Sequence, residues 1–122
     1  MKMAIWMLVA GLFLAACGGD SSGEEVLMGA DLFDEIVVGG KAGCTSCHSI
    51  EPGAGGVGPS LSGIGAAAGT RVSGVSAADY LRKSITDPES CIVAGYNGGV
   101  MPDGWDLTAA QIDSRVDYLL DR

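Results

Sequence analysis

Five consecutive residues hold the most chemistry in this 122-residue chain: Cys44-Thr45-Ser46-Cys47-His48. Two thiols three positions apart share one turn, and an imidazole follows them directly. A redox pair would want a βαβ setting, which is not legible here, and a plain disulfide leaves His48 without a role. A zinc cage needs four donors. Cys47 and His48 are chain neighbours, and beyond the N-terminal stretch the only further thiol is Cys91. C-x-x-C-H is also the attachment pattern of c-type haem. The two thiols add across two vinyl groups, and the next residue aims its imidazole at the iron. The pattern therefore implies one haem c, covalent through Cys44 and Cys47, with His48 as a metal ligand.

His48 is the sole His in the chain, so a second imidazole cannot come from within it. A thioether is the other donor to consider. Past residue 17 only Met28 and Met101 remain. Met28 lies well before Cys44, at the edge of a polar stretch. Met101 follows the Gly-rich run Tyr96-Asn97-Gly98-Gly99-Val100, and Pro102 keeps the chain extended behind it. A Met is more often a gap filler in a core, but Met101 is the candidate axial ligand, with an open or weakly ligated iron as the competing reading. Haem propionates need donors. The candidates are Arg71, Tyr80, Arg82, Lys83, Tyr96 and Trp105, with Arg71 and Trp105 ranked first.

The net charge of −8 arises from 7 Lys+Arg against 15 Asp+Glu. So acidic a chain argues against nucleic acid, which needs clustered cations to meet phosphates. It argues equally against electrostatic docking on anionic lipid.

The N-terminus reads as an address. Lys2 precedes an uncharged run from Ala4 to Ala16, about 20 Å long as a helix and short of the ~30 Å hydrocarbon core. A basic start, an apolar run and small residues at its end describe an export signal. Leu14-Ala15-Ala16-Cys17 resembles the bacterial lipoprotein signal, in which cleavage precedes a Cys that then carries lipid. An uncleaved anchor and an ordinary export signal are the alternatives. The expected division is a signal peptide over 1–16, a lipid-attached tether over 17–28 and a domain over 29–122. Losing Lys2, the lone charge of 1–16, would take the net charge from −8 to −9. Lipidation of Cys17 places the chain on the periplasmic, outer face of the cytoplasmic membrane, in an oxidising compartment. Gly18 to Met28 is rich in Gly, Ser and acids, a composition that tethers rather than packs.

These sites need elements to hold them. A short helix is expected over Ala30 to Val37, with Leu32, Phe33 and Ile36 on one side. A second starts at Ser76-Ala77-Ala78-Asp79 and stops before Asp87-Pro88, since a residue before Pro leaves the α region. The third is the clearest. Thr108 to Gln111 reads as a capping box, Leu107 and Ile112 as a hydrophobic staple, and Ile112, Val116, Leu119 and Leu120 recur at helical spacing. Gly53 to Gly74 and Ala94 to Gly104 read as irregular loops, and no strand is convincing. The fold class is all-α, with three to four short helices and long loops. Such helices make a thin core, so a large cofactor is expected to fill the middle. Cys91, beside Ile92-Val93-Ala94, is expected to be buried rather than reactive or paired between chains.

From Gly29 to Arg122 the chain resembles a class I, monohaem cytochrome c. The resemblance rests on the order of Cys44 to His48, then Gly58-Pro59-Ser60-Leu61-Ser62-Gly63, then Gly99-Val100-Met101-Pro102, then a helix over 108–120. It implies the small class I cytochrome c fold wrapped around one covalent haem. It also implies that the Pro59 carbonyl receives the other ring N–H of His48. Gly29 and Phe33 match the family's small-plus-aromatic pair where first and last helices cross, with Tyr118 opposite. The extra Cys91 departs from the pattern.

His and Met together saturate the iron, which leaves one-electron transfer rather than catalysis at the metal. The expectation is a non-enzymatic electron carrier, or a monohaem subunit of a membrane complex, in a bacterial respiratory or photosynthetic chain. The alternative is a haem-based ligand sensor with a displaceable Met101. The family uses the thioether edge for docking, here near Ala42, Gly43, Val57 and the Met101 loop. With few Lys and Arg, the chain calls for a membrane redox complex or soluble redox protein presenting a basic or apolar face.

Overall fold

The computed structural model describes residues 27–122. The expected signal peptide, Cys17 and all but the end of the tether lie outside the described residues. Among those described, no helix is long and apolar enough to cross a membrane.

The architecture is mostly helical: α1 (Gly29–Asp34), α2 (Ile64–Arg71), α3 (Ala77–Thr86) and α4 (Ala109–Leu120), with a two-residue strand pair β1 (Val37–Val38) and β2 (Lys41–Ala42) after α1. The caps of α3 and α4 form as their sequences imply. Ser76 Oγ accepts from the Asp79 N–H at 3.1 Å. Thr108 Oγ1 accepts from the Gln111 N–H at 3.2 Å while Gln111 Oε1 accepts from the Thr108 N–H at 2.9 Å, so the capping box is complete. Helix α3 ends before Asp87-Pro88, and a short 3-10 turn over Pro88–Ser90 follows.

Three expectations need correction. Helix α1 stops at Asp34 instead of running to Val37, and Ile36 is 75% exposed rather than packed beside Leu32 and Phe33. The cause is the strand pair, where no strand was expected. Val38 pairs with Lys41 across Gly39 and Gly40, whose φ values of 51° and 73° suit the tight turn that demands left-handed backbone at both central positions. The third correction is α2, which lies inside the expected Gly53 to Gly74 loop. Its sequence IGAAAGTR has almost no apolar periodicity, but Ile64 and Ala68 are buried. Gly65 is the reason this weak helix docks. A Cβ there would collide with the Leu120 carbonyl, and the Gly65 N–H donates to the Arg122 carbonyl at 3.0 Å.

Helix α4 is the hub, packing on α1, α2 and α3. Phe33 of α1 and Tyr118 of α4 meet with ring centroids 5.4 Å apart, and Gly29 faces Ser114. One core cluster forms from eight buried residues, including Phe33, Ile64, Leu81, Val116 and Leu119. Among the described residues this is a small core, and a large cavity lies against it.

Candidate functional site

The cavity comprises about 1220 Å³ of space, its open mouth included, and its wall is mainly apolar. Cys44, Cys47, His48, Pro59, Arg71, Met101 and Trp105 all border it, although they are drawn from four separate stretches of chain. Cys91 borders it too and is half-buried, so its expected burial is met only in part.

The motif begins as a 3-10 turn, Cys44–Ser46. The N–H groups of Cys47 and His48 both donate to the Cys44 carbonyl, at 3.1 and 2.9 Å. This tight turn puts both thiols and the imidazole on one side of the chain. Gly43 before it is buried against Glu35, where no side chain would fit. The loop that follows clamps back, with the Gly58 N–H donating to the Cys47 carbonyl at 2.9 Å and the Leu61 N–H to the Ser49 carbonyl at 2.7 Å.

His48 Nδ1 and the Pro59 carbonyl are 2.8 Å apart. A carbonyl can only accept, so Nδ1 carries a proton, and in the neutral ring the lone pair is on Nε2. That contact fixes both tautomer and ring orientation, as metal-ligating imidazoles require. Gly58 lets it happen, since a Cβ there would stand 2.6 Å from His48 Cε1. The ring packs against backbone that only Gly leaves bare.

Two residues that the sequence reading passed over shape the site. Glu89 holds the loop before Met101, accepting from the Gly99 N–H at 2.7 Å. Arg115 of α4 is 3% exposed and donates from Nη1 to Cys44 Sγ. Its spacing carried the signal, since Ile112, Arg115, Val116 and Leu119 share one helical face. Burial pushes the Cys44 thiol above its ordinary value of 9.0, and Arg115 pulls in the opposite direction.

The propionate-donor candidates separate. Arg82 pairs with Asp113 and Lys83 with Asp87, and neither borders the cavity. Arg71 borders it while remaining largely solvent-exposed. Trp105 has a buried Nε1–H with no acceptor. Buried donors are almost always satisfied, so this one fits a group that brings an acceptor into the cavity. Among the described residues, no three His, Cys, Asp or Glu side chains assemble as metal ligands.

No protein-family model matches the chain, and no curated protein matches it either.

Proposed function

We propose that the protein is a one-electron carrier of the class I cytochrome c type, in which Cys44 and Cys47 would hold a single haem c and His48 and Met101 would ligate its iron. The observation that carries this reading is the Nδ1-anchored His48 bordering, with both motif thiols and Met101, one large apolar cavity. The Phe33–Tyr118 crossing of first and last helices supports the same class.

The residues present fit the group. Cys44 and Cys47 border the cavity from one turn, as two thioether bonds to one macrocycle need. His48 offers Nε2 once Pro59 has taken Nδ1–H. Met101 stands in a loop fixed by Glu89, and Trp105 supplies an unspent donor for a propionate. Haem supplies reversible exchange of one electron between ferric and ferrous iron. The chain supplies the bias and the insulation. A thioether ligand favours the ferrous state over a second imidazole, and the apolar wall disfavours the extra positive charge of the ferric state. With His48 and Met101 both given to the iron, the group would offer no place for a substrate, which favours a carrier over an enzyme.

Val57 and Val100, 61% and 45% exposed, border the cavity together with Ala42 and Gly43. They form the docking rim for a membrane redox complex or soluble redox protein with a basic or apolar face. A lipid on Cys17 confines the domain to the outer face of the bacterial cytoplasmic membrane, which raises its effective concentration beside such partners.

The test is an absorbance spectrum of the membrane-extracted protein, oxidised and reduced, extended to the near-infrared Met–iron band. Sharp reduced haem c bands together with the Met band are expected. Haem c without the Met band would replace the carrier with a ligand-binding sensor, and absence of haem would overturn both.

A further inference from the structure

Among the described residues, Arg115 is the one charged side chain that is buried, and electron transfer as outlined above assigns it no task. Its guanidinium carbon stands 5.6 Å from the centroid of the Phe33 ring, and one Nη1–H is spent on Cys44 Sγ. Nε and Nη2 are buried with no acceptor among the described residues. No carboxylate answers it, because the two ion pairs among the described residues join Arg82 to Asp113 and Lys83 to Asp87. In a chain with 15 acids, this cation is held apart from the described ones.

A guanidinium cannot discard its proton. Cys44 gives it little relief, since burial holds the thiol neutral and a thioether carries no charge at all. An unpaired buried charge is costly, and at 3% exposure neither water nor salt screens it well. Its field reaches into the cavity that Arg115 borders.

We propose that Arg115 sets the reduction potential: a permanent buried cation, placed at the Cys44 attachment point, that favours the reduced state of the cofactor. The inference rests on the haem reading above and adds the residue that sets its poise. Ferric iron carries one more positive charge than ferrous iron. A fixed cation nearby raises the energy of the oxidised state more than that of the reduced state. The effect adds to that of the Met ligand, with the same sign.

The test is a redox titration of the holoprotein, followed by the reduced haem c absorbance, for the wild type, Arg115→Met and Arg115→Lys. Met removes the charge while filling much of the space, and exchanging a buried ion for an apolar side chain is often neutral or stabilising. Arg115→Met is expected to shift the reduced-to-oxidised ratio about tenfold toward the oxidised state, a midpoint lower by about 59 mV. Arg115→Lys is expected to stay within about threefold of the wild type, because the charge is kept. A midpoint for Arg115→Met equal to the wild type would overturn the inference and leave the haem reading standing. So would an equal fall in both variants, which would make packing the cause instead of charge. Wild-type protein without haem c would overturn the inference and the functional reading together. Should Arg115→Met fail to accumulate as holoprotein, Arg115→Gln is titrated against the same criteria.

Discussion

Replacing Met101 with Ala removes the thioether that borders the cavity, and no second imidazole can take its place, since His48 is the chain's sole His. The expected outcome is carbon monoxide binding by the reduced variant, loss of the near-infrared Met band and a lower potential. An unchanged spectrum would show that Met101 is not the ligand. Cys44 supplies a pH prediction in the haem-free protein. Its thiol is raised above 9.0, chiefly by burial. The unfolded chain therefore releases this proton first as pH rises, binds fewer protons than the folded chain, and gains in relative stability. Thermal melts of haem-free protein should show stability falling as pH climbs past about 9, with the dependence absent in Cys44→Ser. At this scale the motif was legible because its chemistry is written in five adjacent residues. Arg115 was not, because its place at Cys44 depends on α4 folding back across the molecule, although its position on the apolar face of a helix was there to be noticed.

Elements bring these side chains to one place, and two of them can be weakened selectively. Gly58→Ala would put a methyl group 2.6 Å from the His48 ring. The ring must move off the Pro59 carbonyl, and the expected result is a holoprotein with a perturbed His–iron spectrum, destabilised by about 1–3 kcal/mol. Thr108→Ala removes the cap that closes α4. It is expected to cost about 1 kcal/mol, seen as a melting temperature lower by about 4–8 °C, without altering the spectrum. Capped helices announce themselves, which is why α3 and α4 were legible to within a residue. Helix α2 was not, because Ala and Gly give no periodic signal and its stability comes from packing against α3 and the end of α4. The strand pair was hidden for a related reason, since two residues per strand leave no room for alternation and only Gly39-Gly40 marks the turn.

The whole molecule is acidic, and its mouth is rimmed by exposed apolar side chains. Electron transfer to a basic partner protein should slow as ionic strength rises from about 0.01 to 0.15 M, over which the screening length falls from ~30 to ~8 Å. Stopped-flow rates across that range make the check, and a rate that holds or increases would assign the encounter to the apolar rim alone. The helical class and the thin core followed from composition and spacing. The cavity could only be inferred from that shortage of core, and its wall could not, because it draws on chain segments with no shared local pattern.

The pairing of α1 with α4 joins the beginning of the described chain to its end. Closing so long a loop is entropically slow compared with forming local turns. In the proposed export, with the N-terminus leading, α1 and the Cys44–Ser46 turn would arrive before the helix that covers them. Until Arg115 reaches Cys44 Sγ, that sulfur would be open to reaction. The late arrival of α4 thus sets a maturation window, after which the same helix shuts the door.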